Sequence, residues 1–250
     1  MDDKQIHQEE QYGFPYHHIP SFKKGRFSHV RIWPWGYMYM GCLEAVLNYI
    51  GRKPFISLLD IGCGDGRLLY EARKQFSHAT LAGNDYSEHA IALAKAFNFK
   101  NNVYLSTEPV ETLVAEKGLF DVVVAFEVLE HIPLNKTGDF CKSFASALKP
   151  GGTGIITVPC DNLPVNHKHY QHFNEHSLKK TLEPYLQVTE LFFLDSLSKR
   201  TWLVQRLLGN KFFILNHPKI VTTIYNYYRK HLLYTGAKRC THLMAVVQKC

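Results

Sequence analysis

The chain has 250 residues, of which 46% are hydrophobic and 20% charged, a balance typical of globular proteins. No apolar run approaches the roughly 18 residues that span a bilayer, and the acidic start MDDKQIHQEEQ lacks a signal-peptide pattern. The six cysteines form no CxxC pair, which argues against a zinc knuckle or a disulfide framework. We therefore expect a cytoplasmic protein with reduced thiols in or near a large core.

Charge is unevenly distributed along the chain, whose formal net charge is +7. Ten Lys or Arg residues and no Asp or Glu lie between Ser196 and Cys250, whereas the first 195 residues hold 19 basic and 22 acidic residues. The positive field therefore belongs to the C-terminal fifth of the chain.

Residues 1–50 are interpreted as an N-terminal arm and helix. The stretches YGFPYHHIPSF and RIWPWGYMYM are rich in aromatic residues, His and Pro without a clean period, so we expect an irregular arm leading into a helix near MGCLEAVLNYI. Residues 51–250 form one domain in which strands and helices alternate.

Short apolar runs rich in β-branched residues predict strands that are covered on both faces. They are SLLDI, ATLAGND, NVYLS, FDVVVAF and TGIITVP. The segments between them have helical apolar spacing, and Ser87 is a candidate cap for the second helix. A further helix at HSLKKTLEPY and last strands at VTELFFLD and HLMAVVQKC complete a doubly wound, mostly parallel α/β sheet.

Residues 196–238, between the last two predicted strands, are interpreted as a basic helical insertion. SKRTWLVQRLLG ends at Gly209, and PKIVTTIYNYYRKHLLYTG begins with Pro218 and stops at Gly236, as helix punctuation predicts. Three interpretations stay open. The insertion completes the core or walls a pocket, it lies on an anionic membrane surface, or it follows an RNA backbone.

The stretch DIGCGDG follows the first predicted strand and places three glycines in a βα turn: Gly62, Gly64 and Gly66. Such turns lie at the carboxyl edge of the sheet, where open α/β sheets bind ligands. A dinucleotide fingerprint fails because Arg67 stands where its third glycine belongs, and Asp60 and Asp65 would repel a pyrophosphate. The acidic turn favours a cationic ligand without phosphate.

The second predicted strand ends at Asp85, nineteen residues after Gly66. A carboxylate at this position suits bidentate hydrogen bonding to the two hydroxyls of a ribose. Together with the acidic turn, it predicts a cationic nucleoside as the ligand.

These residues resemble the class I S-adenosylmethionine-dependent methyltransferases. The resemblance covers about residues 55–195, through LLDIGCGDG, GNDYSEHAIALAKA, FDVVVAFEVLEHIP and LKPGGTGIITVP. It implies a Rossmann-like seven-stranded sheet with the last strand antiparallel, and S-adenosylmethionine as cofactor with S-adenosylhomocysteine as product. It also implies that residues 1–50 act as a lid over the reacting sulfonium, with simple packing as the alternative.

The resemblance also implies a set of cofactor-binding residues. They are Asp60, Gly62, Cys63, Gly64, Gly66, Asp85, Tyr86, Glu108, Phe126 and Glu127. Relatives often carry Gly-Asp after the third strand, where this chain has Glu108-Pro109, so Glu108 is the expected substitute for contact with the adenine.

Three histidines are candidate catalytic residues on the acceptor side: His131, His169 and His172. FEVLEHIP ends the fourth strand and resembles the branch that includes the quinone-biosynthesis O-methyltransferases. An imidazole titrates near neutral pH and can remove a proton from an acceptor hydroxyl. The alternative is that Glu127 and His131 only hold the loop and the cofactor.

EVLEH with a later histidine also resembles the metal site of the small-RNA 2′-O-methyltransferases. Its ligands would be Glu127, Glu130 and His131 with His169 or His172. EVLEH is also widespread among metal-free relatives, so our site prediction contains no metal.

The sequence thus predicts a methyltransferase (EC 2.1.1.-) that O-methylates a small-molecule or lipid-linked hydroxylated acceptor. Peripheral contact with an anionic membrane would run through residues 196–238. The alternatives are a metal-assisted RNA 2′-O-methyltransferase, ranked lower because no separate RNA-binding module is visible, and a non-catalytic cofactor-binding partner subunit.

Overall fold

The structure is a computed structural model that describes residues 2–9, 21–23, 26–28, 33–210, 212, 213, 215 and 217–250. Part of the aromatic arm, Tyr12 to His18, lies outside the described residues. Five of the six cysteines are buried free thiols, and Cys250 is exposed.

The described residues contain nine strands. They are β1 (Ser21–Lys23), β2 (Arg26–Ser28), β3 (Ser57–Ile61), β4 (Thr80–Asn84), β5 (Val103–Ser106), β6 (Phe120–Phe126), β7 (Leu148–Pro159), β8 (Leu186–Ser196) and β9 (Cys240–Lys249). They also contain nine α-helices. These are α1 (Asp3–Glu9), α2 (Trp33–Ile50), α3 (Arg67–Gln75), α4 (Glu88–Phe97), α5 (Val110–Lys117), α6 (Thr137–Ala147), α7 (Glu175–Leu182), α8 (Lys199–Leu208) and α9 (Pro218–His231).

Strands β3 to β9 form one seven-stranded sheet in the order β5-β4-β3-β6-β7-β9-β8. β3 to β7 are mutually parallel, and β9 runs antiparallel to both β7 and β8. β1 and β2 pair separately as a short antiparallel ribbon within the arm. The predicted mostly parallel sheet with an antiparallel last strand is confirmed.

Alternate residues of each parallel strand face opposite sides of the sheet, as the two-residue period of a strand requires. Leu58 packs with residues of α2 and α3 on one side, whereas the adjacent Leu59 packs with residues of α5, α6 and α7 on the other. Both side chains are fully buried, which explains why these strands are apolar without alternation.

Helix boundaries follow the sequence signals closely. Ser87 caps α4 by accepting from the Ala90 backbone N–H, α8 ends before Gly209, and α9 begins at Pro218. α9 ends at His231, before the predicted stop at Gly236, because the following chain returns to the sheet, where Tyr234 bridges to Leu194 of β8. The prediction for that helix end was wrong.

The insertion packs on α2 through α9. Tyr228 of α9 is 2% exposed, and a Cβ at Gly41 of α2 would lie 2.7 Å from its ring. Glycine therefore allows the two helices to approach. Within the described residues, no helix has both the length and the apolar character required to cross a membrane.

Candidate active site

The glycine turn lies between β3 and α3. Gly62, Gly64 and Gly66 all have positive φ, at 71°, 53° and 75°. The backbone N–H groups of Gly62 and Cys63 both donate to the Asn84 carbonyl, at 2.8 and 2.9 Å, which ties the turn to the end of β4. A Cβ at Gly62 would lie 2.7 Å from Val128, so the turn requires glycine for both conformation and space.

Asp85 lies directly after β4 and is 7% exposed. One carboxylate oxygen accepts from the Gly64 N–H and the other from the Ser87 N–H, each at 3.0 Å. The carboxylate therefore joins the glycine turn to the start of α4.

Asp60, at the end of β3, is 2% exposed, and its Oδ1 is buried without a hydrogen-bond partner among the described residues. Burial, with the negative charges of Asp85 and Asp65 nearby, raises the pKa of its carboxyl well above the usual range. A cation bound at this place would relieve that cost, so the acidic turn suits a positively charged ligand.

A cavity of about 1130 Å³ opens at this edge of the sheet. It exceeds the roughly 300–1,000 Å³ of one small-molecule site, so it has room for a cofactor and an acceptor together. It is lined by eleven of the thirteen predicted site residues: Asp60, Gly62, Cys63, Gly64, Asp85, Tyr86, Phe126, Glu127, His131, His169 and His172. Gly66 is instead the N-cap residue directly before α3. Glu108 is exposed, while its neighbour Pro109 lines the cavity.

Glu127 follows β6 with φ at 57°, a strained backbone conformation for a non-glycine residue. Its backbone N–H donates to the Thr157 hydroxyl oxygen at 3.0 Å, and its Oε2 lies 3.1 Å from Nε2 of His242. Its Oε1 is buried without a partner among the described residues. Burial would raise the pKa of Glu127, but the imidazole of His242 brings it below its ordinary value, and Glu127 in turn raises the pKa of buried His242.

A buried chain of hydrogen bonds continues from His242 away from the cavity. Its Nδ1 lies 2.7 Å from the Thr241 hydroxyl, which donates to Asp195 Oδ2 at 2.7 Å. The Tyr228 hydroxyl of α9 donates to Asp195 Oδ1 at 2.8 Å. Asp195 and Glu127, the carboxylates at the two ends, are the two non-glycine residues with positive φ in the described part of the chain.

Backbone carbonyls orient His172 and His131, and His172 in turn orients His169. His172 Nδ1 lies 3.0 Å from the Leu163 carbonyl and must donate, so its Nε2 accepts the Nδ1–H of His169 at 2.8 Å. His131 Nδ1 lies 3.3 Å from the Lys168 carbonyl. His169 and His131 each therefore keep an Nε2 lone pair.

Burial lowers the pKa of His131 to about 4 and that of His169 to about 3, so both rings are neutral at physiological pH. Glu130 is 1% exposed, and burial together with Glu127 raises its pKa well above the usual range. One ligand atom each from Glu130, His131 and His169 lies within 4.8 Å of the others. The cluster can accept a proton or hold a divalent cation.

Helix α1 covers this histidine cluster. The Lys4 ammonium donates to the His169 carbonyl, and the Tyr170 hydroxyl donates to Asp2. Lys4 and Gln5 line the cavity. The sequence did not single out these contacts, because they join positions more than 160 residues apart in the chain.

His242 is the main site residue that the sequence reasoning missed. It lies at the start of β9, and because β9 is antiparallel, its first residues meet the carboxyl ends of the parallel strands. The polar pair Thr241-His242 opening an otherwise apolar last strand is the signal that could have identified it.

Comparison with known proteins agrees with this geometry. A family profile described as a methyltransferase domain matches residues 35–185. The ubiquinone biosynthesis O-methyltransferase of Caulobacter sp. (strain K31) is 39% identical over 113 residues, 43% of this chain and 43% of that protein. The protein of the same name from Burkholderia orbicola (strain MC0-3) is 33% identical over 127 residues, 50% of this chain and 51% of that protein. The alignments thus span about half the length of these relatives.

Among solved structures, the magnesium protoporphyrin IX methyltransferase of Synechocystis PCC 6803 with bound SAH has a TM-score of 0.60 at 17% identity. The alignment covers 98% of this chain and 99% of that chain. At this identity the likeness shows the fold alone.

A seven-stranded mixed sheet with a glycine turn at its carboxyl edge defines the Rossmann-like methyltransferase fold class. The chain belongs to the methyltransferase domain family, within the class I S-adenosylmethionine-dependent methyltransferases. The family resemblance inferred from the sequence is confirmed.

Proposed function

We propose that this protein transfers a methyl group from S-adenosylmethionine to a hydroxyl oxygen of a small or lipid-linked acceptor. The observation that carries the proposal is one cavity with an acidic glycine turn at one side and neutral imidazoles with free Nε2 lone pairs at the other. The names of the curated relatives, ubiquinone biosynthesis O-methyltransferases, support the acceptor class.

The cofactor side of the proposal follows from charge and space. S-adenosylmethionine carries a sulfonium, an ammonium and two ribose hydroxyls, and supplies an electrophilic methyl group. Asp60 Oδ1, which has no hydrogen-bond partner among the described residues, suits a cation, and the Asp85 carboxylate, which lines the cavity, suits the ribose hydroxyls. Glycine at 62 and 64 keeps the backbone accessible, and Tyr86, which lines the cavity, offers a ring to the adenine. Glu108 has weaker support than Tyr86, because it does not line the cavity.

On the acceptor side, we propose which groups remove the proton of the acceptor hydroxyl. His169 Nε2 or His131 Nε2 accepts the hydroxyl proton as the oxygen becomes methylated. His172 orients His169 by accepting its Nδ1–H, and the Leu163 carbonyl orients His172. Glu127 Oε1, which no described residue contacts by a hydrogen bond, would accept from a donor group of the bound molecules. Methyl transfer is an in-line displacement, so alignment contributes as much as proton removal.

We further propose that residues 1–50 form the lid of the site. The contacts of Lys4 and Asp2 with the loop that carries His169 support this role. A closed lid would exclude water from the reacting groups. A cytoplasmic location stays a prediction from the sequence.

Methyl-labelled S-adenosylmethionine and fractionated extract of the source cells test the proposal. Label in the small-molecule or lipid fraction, lost in Asp85→Ala and kept in Glu183→Ala, an exposed residue outside the cavity lining, is the expected result. Binding of S-adenosylhomocysteine without label in any fraction would favour the non-catalytic partner subunit. Absence of both binding and label would overturn the proposal.

A second candidate is a metal-assisted RNA 2′-O-methyltransferase. The convergence of Glu130, His131 and His169 within 4.8 Å favours it. These three would hold the cation, whose role would be to polarise a ribose hydroxyl. Two of the metal ligands predicted from the sequence have other partners: Glu127 pairs with His242, and His172 bonds to His169. The proposed ligands are therefore Glu130, His131 and His169.

Metal analysis of untagged protein separates the two candidates. A bound divalent ion that disappears in Glu130→Gln, together with label in the RNA fraction that chelator abolishes, supports the second candidate. Label in small molecules that is indifferent to chelator supports the first.

A further inference from the structure

The outer face of α8 combines apolar and cationic side chains. Thr201 and Leu208 are buried beneath the helix. The exposed residues are Lys199, Arg200, Trp202, Leu203, Arg206 and Leu207. Trp202 is 57% exposed and Leu203 and Leu207 are each 51% exposed, where a helix face in water normally carries polar residues.

The turn that follows α8 extends this face. Phe212 is 83% exposed and Phe213 is 51% exposed. Asn210 holds the turn: its side-chain oxygen accepts from the Phe212 N–H at 2.9 Å, and its own N–H donates to the Phe213 carbonyl at 3.0 Å. We call the exposed residues of α8 together with Phe212 and Phe213 the α8 surface.

The charged residues of the α8 surface are all positive: Lys199, Arg200 and Arg206. The sequence has no Asp or Glu from residue 196 to residue 250. The Arg206 guanidinium lies 5.0 Å from the centre of the Trp202 ring, so a cation and an aromatic ring project together. A partner for this surface must accept apolar side chains and carry negative charge.

We propose that the α8 surface docks on an anionic lipid bilayer. Trp202, Leu203 and Phe212 enter the boundary between headgroups and acyl chains, while Lys199, Arg200 and Arg206 meet the lipid phosphates. A second copy that docked through its own α8 surface would bring like charges together. RNA would leave the leucine side chains without an apolar partner, so the bilayer fits both components of the surface.

A smaller cavity lies next to both this surface and the cavity of the candidate active site. It has a volume of about 260 Å³, and Trp202 and Gln205 of α8 contribute to its wall. Met38, Leu163 and His242 line both this cavity and the larger one. If the proposed function holds, an acceptor dissolved in the bilayer would reach the site beneath α8.

Co-sedimentation of the full-length chain with vesicles tests the docking surface. We expect binding to vesicles of about three parts phosphatidylcholine to one part phosphatidylglycerol, and at least about tenfold weaker binding to phosphatidylcholine alone. Binding should weaken as salt rises, because the cations act partly through screened electrostatics. Equal binding to both vesicles, or none to the anionic ones, would overturn the proposal.

Paired variants show whether the α8 surface is responsible. Leu203→Ser with Phe212→Ser should lower anionic-vesicle affinity by about tenfold or more. The matched control is Phe99→Ser, which removes a ring that is 76% exposed beside Lys100 next to the opposite edge of the sheet, and it should leave affinity unchanged. Equal losses in both variants would overturn the proposal.

Tryptophan fluorescence gives an independent measurement, because the chain has only three Trp residues. Emission should shift to the blue with anionic vesicles in the native chain and not in Trp202→Phe, which should still sediment with them. A shift that persists without Trp202, a dimer abolished by Leu203→Ser, or RNA binding that survives both serine substitutions without vesicle binding would contradict membrane docking. Binding of S-adenosylhomocysteine, measured on the same variants, reports the proposed function separately.

Discussion

The Glu127 carboxylate and the His242 imidazole lie 3.1 Å apart at the floor of the candidate site. One follows β6 in a strained conformation and the other opens β9, so the pair forms only when β9 enters the sheet antiparallel beside β7. The bond occupies Oε2 of Glu127, whereas Oε1 has no partner in the part of the chain that the structure describes and Glu127 lines the cavity. The antiparallel last strand therefore contributes directly to the site.

The pH dependence of stability should report this pair. The lowered pKa of Glu127 gives stability that is complete above its ordinary 4.5 and lost as pH falls through the lowered value. The raised pKa of His242 gives stability that is complete below its ordinary 6.5 and lost as pH rises through the raised value. The pair should stabilise most between 4.5 and 6.5.

A double-mutant cycle of Glu127→Gln and His242→Asn, followed by urea unfolding across pH, measures this coupling. We expect a coupling free energy of about 1–3 kcal/mol inside the window and a smaller one in alkaline solution. A coupling that grows with rising pH would contradict the assigned charges.

Gly62→Ala should weaken cofactor binding, whereas an equally strained glycine substitution away from the site should not. A Cβ there meets Val128 at 2.7 Å, and φ is 71°. Gly151→Ala is the matched control, because φ is 74° and no atom of the described residues lies within 4 Å of the added carbon. Each substitution should cost about 1–3 kcal/mol in unfolding free energy through strain.

Calorimetric titration with S-adenosylhomocysteine separates these two effects. We expect about tenfold or greater loss of affinity for Gly62→Ala and none for Gly151→Ala. Equal affinities for the two variants would mean that the glycine turn does not contact the ligand.

Local sequence signals predicted where the glycine turn and Asp85 lie in the fold. The apolar runs, Gly62, Gly64 and Asp85 depend on residues close in the chain, and a βα turn at the end of a parallel strand can occupy only one edge of the sheet. The carboxylate of Asp85 lies where the sequence placed it, at the end of β4.

The acceptor side could be predicted only in part, because its contacts come from distant segments. His131 and His169 were identified as candidates, but the tautomers that free their Nε2 atoms depend on carbonyls of a folded loop. Tertiary packing also decided that Glu127 would bond to His242 rather than join Glu130. The strained φ of Glu127 leaves no local signal in the sequence.

The pH–rate profile of methyl transfer should lack a titration near neutrality from His131 or His169. Burial holds their pKa values at about 4 and about 3, so both rings stay ready to accept a proton well into the acid range. With an acceptor identified by labelling, kcat measured from neutral to acid pH should remain flat until the pH approaches these values. An inflection of kcat near pH 6.5 that disappears in His169→Gln would mean that burial does not lower the pKa of His169.

His172→Ala should lower kcat without a comparable rise in KM. The substitution removes the acceptor of the His169 Nδ1–H, so the base loses its orientation while the acceptor pocket keeps its shape. We expect a decrease of about tenfold to a hundredfold, less than the roughly 10²–10⁴-fold that general base catalysis contributes, because the base itself is still present. His176→Ala, in α7 and exposed, is the control and should behave as the native chain. A KM effect of equal size would assign His172 to acceptor binding instead.

Tyr228→Phe should destabilise the fold and loosen the link between the insertion and the site. Asp195 is 4% exposed and would lose one of the two hydroxyl donors that hold its carboxylate. Leaving a buried acceptor short of a donor costs about 1–3 kcal/mol. Tyr225→Phe is the matched control, because its hydroxyl bonds to the partly exposed Glu44, which Arg229 also pairs, and it should cost less than about 1 kcal/mol. Urea unfolding gives both values, and an equal cost for the two tyrosines would mean that the Asp195 bond contributes no more than a surface contact.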